Sequence, residues 1–209
     1  WVLDLETGHA RALPGTEEGY RPFWSPDDRQ LGFFTWSHLS TTPVEGGAVR
    51  RLARARDARG GSWNRAGTLL FAPHQYGALP TIPAGGGETS VATDLPGGPR
   101  SGTHRFPHFL PDGERFLYLE RASLYRPGMN AGVAVGRLGA KGPARRLLDL
   151  ATNVRFADGR LLFVRDGTLM AQSFDPDALA LPGEARPVLG DLLYNQRLTY
   201  GVLPTAEAG

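Results

Sequence analysis

The chain has 209 residues, a formal charge of +2, 41% hydrophobic residues and no cysteine. Disulfides, thiolate metal sites and cysteine nucleophiles are therefore excluded, and the apolar fraction is too high for a disordered chain. The basic side is arginine apart from Lys141, and the pI is near 9.2, but +2 over this length is too weak a field to mark a nucleic-acid binder.

Gly 28 and Pro 17 together exceed a fifth of the chain, which suits many short strands joined by tight turns. No apolar run reaches the roughly 18 residues that a membrane-crossing helix requires. Residues 1–5 and 10–13 flank Thr7-Gly8 and read as a hairpin. Next comes Arg21-Pro22-Phe23-Trp24, the turn Ser25-Pro26-Asp27-Asp28, and a second strand over 30–34. Proline presets φ for the start of that turn, and its closing position calls for positive φ. Asp28 is thus expected to be left-handed, since aspartate tolerates that region better than most residues.

The pattern recurs in Ser62-Trp63-Asn64-Arg65-Ala66-Gly67, in His108-Phe109-Leu110-Pro111-Asp112-Gly113 and in Val154-Arg155-Phe156-Ala157-Asp158-Gly159. Aligned on Asp28, Gly67, Gly113 and Gly159, the steps are 39, 46 and 46 residues. Each unit also holds a second hairpin, turning on Glu45-Gly46-Gly47, on Gly85-Gly86-Gly87, on Gly139–Gly142, and over the longer loop 175–184. A repeat of roughly 40–45 residues built of four short strands predicts an all-β fold, a β-propeller of four-stranded antiparallel blades. The expected organisation is one propeller domain over 1–209. Its blades fall at about 16–54, 55–97, 98–149 and 150–192, with partial blades at 1–15 and 193–209. The N-terminal hairpin matches the outer half of a blade. Tyr200 to Leu203 reads as an inner strand and Ala206 to Gly209 as its turn. The expectation is a piece of a six- to eight-bladed propeller.

At Gly60-Gly61-Ser62-Trp63-Asn64, Thr103-His104-Arg105-Phe106-Pro107-His108 and Leu161-Leu162-Phe163-Val164-Arg165-Asp166-Gly167, the chain resembles the TolB-like, WD40-like propeller repeats of bacteria. It is most similar to those that follow a serine/threonine kinase domain. The turn Asn64-Arg65-Ala66-Gly67 departs from the family pattern in lacking Pro-Asp. The resemblance implies a sensor or protein-interaction region, linked to a kinase domain in a larger chain and placed outside the cytoplasm. It does not imply a kinase, because neither a Gly-rich phosphate loop with its lysine nor an Asp-Phe-Gly motif is present.

Several residues invite catalytic or metal-binding readings. His104 and His108 have the spacing of zinc ligands on a helix, but on a strand they stand about 13 Å apart. Asp175-Pro176-Asp177 starts like a calcium loop, then places Leu179 and Ala180 where a ligand and glycine belong. Gly61-Ser62-Trp63-Asn64 is not a nucleophile elbow. No metal, cofactor or catalytic residue is assigned, and the chain is read as a non-enzyme. Arg50, Arg51, Arg54, Arg56 and Arg59 form the densest charge cluster, either an anion-binding patch or a solvated loop between blades.

The loops leading into the inner strands converge on one mouth of a propeller channel. They carry Tyr20, Arg21, Arg59, His104, Arg105 and Asn153. Two readings stand side by side: a pocket for an anion or peptide, or polar groups that merely bond neighbouring blades. The function expected is binding of a protein or peptide, without nucleic acid and without membrane insertion. The alternatives are a propeller enzyme of the metal-dependent polysaccharide lyase type, or the accessory propeller of a prolyl-oligopeptidase-like peptidase.

Overall fold

The computed structural model describes residues 1–95, 98, 101–122, 131–140, 142, 144–192, 194–195 and 200–201. Strands β1 (Val2–Leu3) and β2 (Ala10–Arg11) form a first hairpin. Blade 1 contains β3 (Tyr20–Trp24), β4 (Gln30–Phe34), β5 (His38–Pro43) and β6 (Arg50–Arg54). Blade 2 contains β7 (Gly61–Trp63), β8 (Thr68–Phe71), β9 (Pro80–Pro83) and β10 (Ser90–Val91). In blade 3 are β11 (Gly102–Phe109), β12 (Arg115–Ala122), β13 (Gly132–Arg137) and β14 (Arg145–Leu148). Blade 4 contains β15 (Val154–Ala157), β16 (Arg160–Arg165), β17 (Thr168–Ser173) and β18 (Arg186–Leu189). A last pair joins β19 (Tyr194–Asn195) to β20 (Tyr200–Gly201). Within each blade the strands pair in sequence order and antiparallel, and there is no helix among the described residues. The predicted inner strand at Tyr200 is thus a hairpin partner of β19, while Leu203 and Ala206 to Gly209 lie outside the described residues.

The first turn forms for the expected reason. Asp28 donates its N–H to the Ser25 carbonyl at 3.0 Å and adopts φ 56. The Ser25 hydroxyl donates to Asp27 Oδ1 and accepts the Gln30 N–H, so the side chains close the turn a second time. Asn64 replaces the missing Pro-Asp of blade 2 by bonding: its Oδ1 accepts the Thr68 N–H at 2.8 Å, and its Nδ2 donates to the Gly113 carbonyl of blade 3 at 2.7 Å. The fourth turn differs from its predicted alignment. Asp158 and Gly159 are both left-handed, at φ 48 and 70, and Ala157 pairs with Arg160, which makes a two-residue hairpin turn.

Blades bury both faces, so central strands such as β8 and β13 run apolar without alternation. Along β8, Leu69 and Phe71 pack with Phe23, Phe34 and Leu39 of blade 1. Leu70 and Ala72 face the other way, onto Phe109, Phe116 and Tyr118 of blade 3. Each such side chain contributes about 1.5–3 kcal/mol when fully buried. Phe23 lies so close to blade 2 that a Cβ on Gly61 would stand 2.6 Å from its ring. Blade 3 seals to blade 4 through Leu117, Val133, Val154, Leu161 and Phe163.

Candidate functional site: the mouth of the inner strands

Three successive blades carry a left-handed residue at the same place in the chain before or within the inner strand: Arg21 at φ 51, Gly60 at φ 97 and Phe106 at φ 53. In β3 and β11 the pairing register slips there, between Tyr20 and Phe23 and between Arg105 and His108. Left-handed geometry costs a residue with a Cβ roughly 1–2 kcal/mol, so neighbouring contacts must hold it. They do so across blades. The Phe106 N–H donates to the Arg59 carbonyl at 2.7 Å, and the Arg21 guanidinium stands 5.2 Å from the Phe106 ring centroid. A Cβ on Gly60 would come within 3.3 Å of the Phe106 backbone, so blade 2 has glycine at this crossing.

Arg59 and Arg105 sit on either side of it. Arg59 Nη1 donates to Asp57 Oδ1 and to the carbonyls of Asp57 and Ala58. Its Nε is buried with no hydrogen-bond partner among the described residues. Arg105 donates through Nε to Thr103 Oγ1 at 3.2 Å and through Nη2 to the Gln75 carbonyl at 3.0 Å. Burial, reinforced by the charges of Arg59 and Arg121, lowers its pKa to about 10, with Asp57 and Tyr76 pulling the other way. Tyr20 accepts the Ala58 N–H on its hydroxyl at 3.1 Å. Its ring lies 5.7 Å from that of Trp36, which is 73% exposed.

The remaining predicted residues are placed differently. His104 is buried between blades, its Nδ1 2.8 Å from Thr93 Oγ1 and its ring 4.7 Å from Tyr118. Burial brings its pKa down to about 4, so it is neutral. Asn153 is buried just before β15, where its carbonyl accepts the Thr152 hydroxyl. Tyr20, Arg21, Arg59 and Arg105 are therefore brought together, and His104 is turned away into the seam between blades 2 and 3.

Two residues that the sequence reading missed belong to the loops between second and third strands. An antiparallel blade returns the chain to the mouth after two strands, so Trp36 and Tyr76 rise beside the predicted residues. Asp57, left-handed at φ 58, and Arg121, on β12 opposite Thr103, complete the charged set.

The slip at Phe106 also separates the two histidines. On a regular strand, residues four apart share a face. Here His104 faces blade 2, while His108 faces blade 4, with Nε2 3.3 Å from the Phe156 carbonyl and Nδ1 3.1 Å from Arg155 Nη1. The arginine donor fixes the tautomer with the proton on Nε2, and burial with the Arg155 charge holds its pKa near 3. Asp175 accepts the backbone N–H groups of Asp177 and Ala178, and Asp177 pairs with Arg115 at 2.9 Å. No group of three metal-ligating side chains occurs among the described residues. Ser62 Oγ accepts the Phe109 N–H, a bond between blades. The arginine cluster divides: Arg50, Arg51, Arg54 and Arg56 are exposed along and after β6, and only Arg59 turns into the mouth.

A cavity of about 310 Å³ lies at the opposite end of the blades, beside Asp94, Tyr118, Arg137 and Arg145. Its arginines are occupied, Arg137 with Glu114 at 2.6 Å and Arg145 with the Ala178 carbonyl.

No protein-family model matches the chain, and no curated protein matches it in sequence. Solved structures do. TolB from Acinetobacter baumannii is 17% identical, with a TM-score of 0.59 over 88% of this chain and 49% of that one. The fold is a β-propeller. A nidogen/laminin complex is 14% identical, with a TM-score of 0.62 over 81% of this propeller and 64% of that chain. A puromycin-hydrolysing peptidase of Mycobacterium tuberculosis is 13% identical, with a TM-score of 0.60 over 81% and 32%. The propeller thus spans about half the length of the Acinetobacter TolB chain. Likeness at this identity establishes architecture and leaves function to the site.

Proposed function

We propose that this chain is a non-catalytic binding propeller whose mouth takes a protein or peptide partner. The observation that carries this is the convergence of Arg21, Arg59 and Arg105 from three blades, beside an exposed Trp36 tilted against Tyr20. Arginine and aromatic side chains are the residue types that dominate binding energy at protein interfaces. The strained backbone at Arg21 and Phe106 supports the reading, because strain collects where geometry serves a ligand. The sequence resemblance extends it to the interaction region of a larger bacterial signalling protein outside the cytoplasm. No helix among the described residues is long and apolar enough to cross a membrane.

A second reading, the accessory propeller of a peptidase, draws support from the likeness to the puromycin-hydrolysing enzyme. Capture from an extract of the native host separates mouth binding from it. The propeller should retain a discrete partner, and the triple variant Arg21→Ala, Arg59→Ala, Arg105→Ala should lose it. Unchanged capture by a folded triple variant removes the mouth from the account.

A further inference from the structure

Arg59 and Arg105 are 7% and 6% exposed, and each is buried beside like charge. The Arg59 guanidinium acts against the charged form of Arg105, and the Asp57 carboxylate acts for it. Buried cations packed together are unfavourable unless an anion lies among them. Asp57 does not complete that role. It meets Arg59 through Nη1 alone, and Arg59 Nε remains buried without a hydrogen-bond partner among the described residues. Arg105 is held by Thr103 and Gln75, both neutral. Both guanidinium groups are therefore fixed before any ligand arrives, Arg59 by Asp57 and the Ala58 carbonyl and Arg105 by Thr103 and the Gln75 carbonyl, which lowers the ordering cost of binding.

We infer that Arg59 and Arg105 form the seat for a carboxylate presented by an acidic peptide, an inference that rests on the mouth being the binding surface. Planar guanidinium donors match a planar carboxylate in a way that a point charge does not. The flanks suit a peptide rather than a bare ion. Tyr20 and Trp36 offer a tilted ring pair, and Tyr76 lies near Arg105. Arg21 is engaged with the Phe106 ring.

The test uses the whole chain and fluorescence polarisation with labelled short peptides that combine aspartate or glutamate with aromatic residues. Their asparagine and glutamine counterparts serve as uncharged partners, and inorganic phosphate serves as a competitor. The acidic peptides should bind at least about tenfold more tightly than the amide set. Arg59→Gln and Arg105→Gln should each erase that preference, and Arg105→Lys should erase most of it while keeping the charge. Arg56→Gln, an exposed arginine in the same loop, should leave it intact. Equal loss in Arg56→Gln would mean a diffuse basic field and would overturn the seat. Displacement by phosphate at low millimolar concentration would assign the arginines to a phosphate instead. Equal binding of acidic and amide peptides, lost on Trp36→Ala, would end the carboxylate inference but keep the mouth as a binding surface. Binding of neither set would end both. A melting curve of each variant, matched to the parent, separates loss of the seat from loss of the fold.

Discussion

Strands β11 and β18 hold opposite places in their blades. All eight residues of β11 are buried, whereas all four of β18 are exposed. β11 has eight residues and β18 four, and both pair antiparallel. The difference is position: an inner strand packs against blades on either side, and an outer strand has a free edge. Inner positions should therefore govern stability and site geometry, while outer positions tolerate change.

The widest gap should come from truncation. Phe116→Ala, in the seam between blades 2 and 3, should cost about 3–5 kcal/mol, and Val188→Ala on β18 should stay within about 0.5 kcal/mol, both read by urea denaturation. Added volume should show the same contrast on a smaller scale. Gly61→Ala drives a methyl group into the Phe23 ring and should cost about 1–3 kcal/mol. Gly190→Ala meets open space and should change stability by a few tenths of a kcal/mol at most.

A pH titration probes the inner strand without mutation. His104 and His108 have folded pKa values near 4 and 3, below the ordinary 6.5. Between those values the unfolded chain binds more protons than the folded one, so stability is full above pH 6.5 and declines as pH falls. By pH 5 the loss should be roughly 2 kcal/mol per histidine, visible as a falling Tm before most carboxylates titrate. His108→Gln should flatten part of that slope; a Tm independent of pH between 7.5 and 5 would mean that the histidines are not buried as described. The smallest effect concerns the first turn. Asp28→Ala should cost about 1 kcal/mol and Asp28→Gly should be close to neutral, because only the left-handed backbone is at stake.

The turn ends of the blades were legible in the sequence because each repeats the same local chemistry. Asp28, Gly67 and Gly113 occupy the left-handed position that the alignment requires. Gly159 does so inside a shorter turn, since Asp-Gly also satisfies a two-residue hairpin. The mouth ends were only partly legible. Counting back from the turns locates Tyr20, Arg21, Arg59 and Arg105. Yet the slips at Arg21 and Phe106 reverse which face each neighbouring side chain takes, and a two-residue period cannot foresee them. His104, expected at the mouth, therefore faces blade 2. Trp36 and Tyr76 carried no repeat at all. They reach the site through the fold's return path rather than through any local pattern.

The proposed binding surface is the mouth and not the outer edge. A photo-crosslinking amino acid placed at position 36, or in a parallel chain at position 188, tests it in cells that make the protein. The prediction is one discrete adduct from position 36 and none from position 188. Adducts from position 188 alone, or equally from both, would contradict it.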